Sequence, residues 1–182
     1  MSFLPLILQV ILILVAGVAA INDIRFRRIP NWLTLTGLVL GVGTNVFLFE
    51  WAGLRESLMG LAVAFIVYFP LYLLRGMGAG DVKLMAAIGC IVGWKNWIGI
   101  FFLTAILGGL AAVAVLLARR RLAHSLVNVG GLIGGLVAFR APYARNEELD
   151  LASPKSMKLP HGVVIACGCL LFLGAAWVWA PR

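Results

Sequence analysis

Charge is what this sequence has least of. Asp, Glu, Lys and Arg make up 12% of its 182 residues, only seven of them acidic, and there are two histidines. Hydrophobic residues reach 63%, a balance that excludes an ordinary soluble domain. Signatures of several chemistries are missing as well. The three cysteines, Cys90, Cys167 and Cys169, form no Cys-x-x-Cys pair and have no adjacent His, so a zinc knuckle is excluded. No glycine-rich string ends in Gly-Lys-Ser/Thr, which excludes a phosphate loop. Ser57, Ser125, Ser153 and Ser156 lack a Gly-x-Ser-x-Gly setting, so serine hydrolase chemistry has no support. His124 and His161 are isolated, and Glu147, Glu148 and Asp150 read as a solvated loop cluster. No Lys or Arg precedes the first apolar run, whereas Arg25, Arg27 and Arg28 follow it. A secretory signal has the reverse order, so this run is read as a retained first span.

What is abundant is apolar sequence in membrane-length pieces. Six segments can be drawn: 4–21, 32–49, 58–74, 82–92, 97–118 and 163–179. The fourth is short for a hydrocarbon core of about 30 Å. The segment 126–139, with Asn128 and four glycines, is read as interfacial, and Arg119, Arg120 and Arg121 before it would grip anionic headgroups at about 1 kcal/mol each. The expected fold is an all-α polytopic membrane protein: residues 1–182 as one membrane domain with six transmembrane helices. A cytoplasmic interfacial helix or re-entrant segment is expected between spans five and six.

The basic residues orient this arrangement. Arg25, Arg27 and Arg28 follow span one, Arg75 and Lys83 follow span three, and seven more follow span five. Only Arg55, Lys95 and Arg182 fall on the other side. The odd loops are therefore expected to be cytoplasmic, with both termini outside. The net charge of +8 follows from this topology and does not point to nucleic acid. Trp32, Trp51, Trp94, Trp97, Trp177 and Trp179 mostly mark span ends, as an aromatic belt would.

Against this background two aspartates stand out. Asp23 and Asp81 sit at the ends of apolar segments, on the same expected side. A carboxylate at a helix centre in a bilayer costs roughly 2.5–3.5 kcal/mol, so such residues are functional by default. Asp81 ends the string Gly78-Ala79-Gly80-Asp81, whose glycines would let an extended substrate backbone approach. Simple N-capping of the next helix explains the same string equally well. Asp23 opens Asp23-Ile24-Arg25-Phe26-Arg27-Arg28-Ile29-Pro30-Asn31, where Pro30 halts a helix and Asn31 is placed to cap the next. Two carboxylates sharing a water could divide acid and base roles. No metal and no cofactor is required. A small proton- or ion-coupled carrier using the same aspartates is the alternative, and a non-catalytic scaffold is a third reading.

These strings resemble the type IV prepilin peptidases, bacterial aspartic leader peptidases. The matching pieces are Asp23-Ile24-Arg25 with Arg28-Ile29-Pro30-Asn31, then Gly78-Ala79-Gly80-Asp81-Val82-Lys83-Leu84, then Leu159-Pro160-His161-Gly162. His161 stands where the family usually has an aromatic residue. The resemblance implies that Asp23 and Asp81 are the catalytic pair. It implies that Gly78, Gly80, Lys83, Arg28, Pro30, Asn31, Pro160 and Gly162 shape the substrate site. The implied activity is removal of a short basic leader, after a glycine, from prepilins or pseudopilins at the cytoplasmic face of the bacterial inner membrane. Partners would be those precursors, membrane lipid and pilus-assembly machinery. The absence of Cys-x-x-Cys pairs resembles the short form associated with Flp/Tad pili, without the zinc-binding insert that accompanies N-methylation.

Overall fold

The computed structural model describes residues 4–74, 77–118 and 160–178. Four helices account for nearly all of them: α1 (Leu6–Phe26), α2 (Asn31–Leu73), α3 (Ala79–Ala118) and α4 (His161–Val178). All four are long and apolar enough to cross a membrane. A helix satisfies its own backbone polar groups, which is what hydrocarbon demands of a long apolar segment.

The expectation of six separate spans is corrected by this architecture. Segments 32–49 and 58–74 both lie in α2, and 82–92 and 97–118 both lie in α3. The loops expected between them do not form. A single residue in each helix leaves helical geometry: Glu50 (φ 52°, ψ −130°) in α2 and Gly93 (φ 73°, ψ 164°) in α3. The polar residues around Arg55 and Lys95 thus sit on helical turns, and their polarity is what made them read as loops. The alternation of sides inferred from six spans falls with that count. The segment 126–139, expected at the interface, lies outside the described residues.

The break at Glu50 turns the chain sharply. Asn45 Nδ2 and Ser57 Oγ both donate to the carbonyl oxygen of Cys90, at 3.0 and 2.8 Å. On a straight helix residues 45 and 57 would be about 18 Å apart. Glu50 takes a backbone conformation that costs a side-chain-bearing residue on the order of 1–3 kcal/mol. Glu50→Gly is therefore expected to raise unfolding stability by about 1 kcal/mol, the strain relieved less the added chain entropy. An unchanged or lower melting midpoint in detergent would contradict this.

The short segment 82–92 becomes the centre of the molecule. Leu84, Met85, Ile88, Cys90 and Ile91 are all completely buried. A helix apolar on every face belongs inside protein, so this stretch has no bilayer thickness to match. Trp97 lies against it and donates Nε1–H to the carbonyl of Met85 at 3.1 Å. Tyr68 and Phe101 pack on the same indole. Elsewhere the distribution inverts that of a soluble protein. Asn45, Ser57, Asn96 and Thr104 are buried, while Phe47, Ile66 and Leu110 face outward. Large apolar side chains on the outside and amides within suit a lipid surround.

Candidate active site

One end of the bundle gathers the C-terminal turn of α1 and the starts of α3 and α4. Asp23 is not in a loop after the first helix, as its sequence position suggested, but one turn inside it. Arg27, in the left-handed region, ends α1 and donates its N–H to the Asp23 carbonyl at 3.0 Å. Asp81 is the third residue of α3. Its N–H and that of Val82 both donate to the Gly78 carbonyl, at 3.1 and 3.3 Å, so the glycine string forms the first turn. The capping reading of that string is thus realised, since the Asp81 carboxylate also accepts a hydrogen bond from the Gly78 backbone N–H while it faces the cleft.

Asp23 and Asp81 line a single cleft of about 250 Å³ with Arg27, Arg28, Ile29, Gly78 and Gly80. They are close enough that the charge on Asp23 acts on Asp81. Each glycine has a local reason. A Cβ on Gly78 would stand 3.2 Å from Asp81 Oδ2, and one on Gly80 would stand 3.2 Å from the Cβ of Ile29. Side chains there would crowd the carboxylate or push Ile29 out of the cleft wall.

The start of α4 holds Asp23 from behind. The Gly162 N–H donates to Asp23 Oδ2 at 2.8 Å in buried surroundings. This is an orphan amide of a helix N-terminus, and an anion is favoured there by the helix dipole. A Cβ on Gly162 would stand 3.0 Å from the Asp23 Cβ, so only glycine admits this approach without displacement. His161 begins the same helix, half-buried, on the side of α3 near Gly108. Pro160 precedes it and accepts the Val163 N–H at 3.2 Å.

The remaining expected site residues lie beside the cleft without lining it. Pro30, extended, precedes α2 and its carbonyl accepts the N–H groups of Leu33 and Thr34. The Asn31 side chain does not cap α2, contrary to the sequence reading, because α2 begins one residue earlier than a cap at 31 requires. Its Oδ1 instead accepts from Lys83 Nζ at 3.0 Å. That pair stands at a neighbouring groove of about 500 Å³, whose walls include Leu35, Leu61 and Phe65. Sequence reasoning took Arg27 as a topology signal only, and the structure adds it to the cleft. Nothing local marked it, since its place there follows from the helix ending at that residue.

A model of the type IV leader peptidase family matches residues 10–113. The chain belongs to the type IV leader peptidase family. Every residue lining the aspartate cleft falls within the matched range, whereas Gly162 lies beyond it. Curated relatives named prepilin leader peptidase/N-methyltransferase are similar to it. The protein from Pseudomonas putida is 33% identical over 51% of this chain and 34% of its own length. That from Xanthomonas campestris is 30% identical over 66% and 42%. That from Escherichia coli is 34% identical over 56% and 48%. The chain thus spans less than half the length of these relatives. No solved structure matches it. The apolar helices and these bacterial relatives make this leader peptidase family member a bacterial membrane protein.

Proposed function

We propose that the protein is an aspartic endopeptidase that removes the short basic leader of a type IV prepilin or pseudopilin. The observation that carries this is the one cleft holding both Asp23 and Asp81. Two carboxylates in one cleft can divide the acid and base roles around a single water. The ionised member takes a proton from water as that water attacks the scissile carbonyl. The neutral member donates a hydrogen bond to the carbonyl oxygen as it gains negative charge. The proton taken from water then goes to the departing amine, and the pair returns to its single-proton state. The Gly162 N–H, donating to Asp23 Oδ2, fixes the orientation of that carboxyl group.

Cleavage would occur on the cytoplasmic side. Arg25, Arg27, Arg28 and Lys83 lie at the same end of the helices as the aspartates, and basic residues at helix ends favour the cytoplasmic face. A precursor whose basic leader stays inside and whose apolar helix enters the bilayer presents its junction at that level. The carrier alternative fits less well. Its ion sites belong near mid-membrane, in broken helices. Both aspartates here stand at helix ends. The proposal takes only the peptidase half of the relatives' name. The Cys-x-x-Cys pairs that the family resemblance associates with methylation do not occur in this sequence, which favours the short Flp/Tad-type form.

The test is reconstitution. The purified chain in lipid is expected to shorten a prepilin precursor at a glycine, with the new terminus read by mass spectrometry. Intact precursor across several pilin and pseudopilin substrates would refute the assignment. A second variant probes the support of Asp23. Gly162→Ala is expected to slow cleavage about tenfold or more, since misplacing a catalytic group by about 1 Å can cost 10²-fold. Ser in place of Ala should do no better. A rate within twofold of wild type would mean that the Gly162 contact does not matter to the chemistry.

A further inference from the structure

The end of the bundle away from the aspartates holds a second pocket, of about 290 Å³, to which neither sequence motif nor family assigns a role. It opens where α2 and α3 break, beside the start of α1, and its walls include Leu8, Asn45, Phe49, Glu56, Gly93 and Lys95. Leu8 and Asp23 share α1, so the two sites are separated by about 22 Å of helix rise. The pocket is therefore independent of the peptidase cleft.

Its polar groups are specific. Asn45 is 6% exposed, and its Nδ2 donates to the carbonyls of Gly41, Cys90 and Ile91. That triple use fixes the amide so that Oδ1 faces the other way, and Oδ1 accepts no hydrogen bond from any described residue. That oxygen is not sealed within protein, so a donor entering the pocket can reach it. Glu56 is half-buried over Gly93, where a Cβ would stand 3.3 Å from its Oε2. Among the described residues it likewise has no ion-pair or hydrogen-bond partner. Lys95 lies exposed at the rim, 5.6 Å from the ring centre of Trp94 and unpaired with Glu56. Leu4, Leu8 and Phe49 supply the apolar wall. Trp51, 78% exposed, and Trp94 stand next to the breaks at Glu50 and Gly93.

We infer that this pocket binds the phosphoethanolamine headgroup of a membrane phospholipid. A primary ammonium carries three N–H donors and no acceptor, which matches one carboxylate and one amide oxygen facing a common space. The phosphate, two carbons away, reaches the rim where Lys95 supplies the positive charge. The acyl chains then continue outward along the exposed Phe49. A choline headgroup has no N–H to give Asn45 or Glu56, and a glycerol headgroup brings no cation to Glu56. Both are disfavoured by the same chemistry, so the site selects a zwitterion with a primary amine.

The test uses the full chain purified in micelles doped with phosphatidylethanolamine, phosphatidylcholine or phosphatidylglycerol. Bound lipid is counted by native mass spectrometry and the melting midpoint is recorded. Phosphatidylethanolamine is expected to be retained preferentially and to raise the midpoint. Glu56→Gln should lower that preference about tenfold, the loss of one charge-assisted hydrogen bond, while melting normally in phosphatidylcholine. Should Glu56→Gln fail to fold, Lys95→Ala at the exposed rim takes its place, and retention of phosphatidylethanolamine itself, rather than the preference, is expected to drop about threefold, since the phosphate that Lys95 meets is common to all three lipids. Equal retention of the three lipids by wild type, a preference untouched by Glu56→Gln, or undiminished retention by Lys95→Ala would overturn the inference. A midpoint shift from soluble phosphoethanolamine as large as that from the lipid would overturn the lipid as its source.

Discussion

Asp23→Asn and Asp81→Asn are each expected to lower the rate of leader removal on the order of 10³-fold, the usual worth of a positioned acid or base. Asn keeps the shape of the side chain and removes only its ability to exchange a proton. At position 23 it can still accept the Gly162 N–H through Oδ1, so the contact that joins α1 to α4 survives. Asp23→Ala would remove that acceptor as well and leave a buried amide unpaired. The Asn variant is therefore the sharper probe of chemistry and the Ala variant a probe of both chemistry and packing. Both Asn proteins should insert in the membrane in wild-type amounts. Either one cleaving within tenfold of wild type would remove its residue from the mechanism.

The largest expected effect on stability lies far from the cleft, at Gly60. The backbones of α2 and α3 meet there, and a Cβ on Gly60 would collide with the carbonyl oxygen of Gly89. A Cβ on Gly89 would in turn collide with the carbonyl of Gly60. Neither obstacle is a flexible side chain, so the clash can be relieved only by parting the helices. Gly60→Ala is expected to destabilise by about 3 kcal/mol, the upper part of the range for overpacking, measured by unfolding in mixed micelles. Gly43 meets nothing within 4 Å, and Gly43→Ala should be neutral or slightly stabilising through helix propensity. Because α3 carries Asp81 at its head, Gly60→Ala should also reduce cleavage without touching the cleft. Equal melting midpoints for the two variants would mean that the α2–α3 approach is looser than described.

What the sequence revealed and what it hid follow from the same physics. Asp23 and Asp81 drew attention because carboxylates beside apolar runs are costly, and the fold brings them with Gly78 and Gly80 to one cleft. The helical class was legible from run length alone. The span count was not, since Arg55, Glu56 and Lys95 look like loop residues whereas a break in a membrane helix needs only one residue outside helical geometry. Glu50 carries no signal for such a break, and Gly93 is one glycine among many. The centrality of 82–92 was hidden too, because hydropathy does not distinguish a segment facing lipid from one encased in protein. Contacts between distant positions, Gly162 with Asp23 and Asn31 with Lys83, depend on how helices meet and leave no local mark.

The central claim is that Asp23 and Asp81 form one catalytic unit. Single-turnover cleavage of a prepilin precursor by wild type, the two single Asn variants and the double Asn variant tests it most directly. Groups that act together are strongly non-additive, so the double variant should be no slower than either single one, on the order of 10³-fold below wild type. A double variant slower than both by the product of their separate losses would contradict the claim.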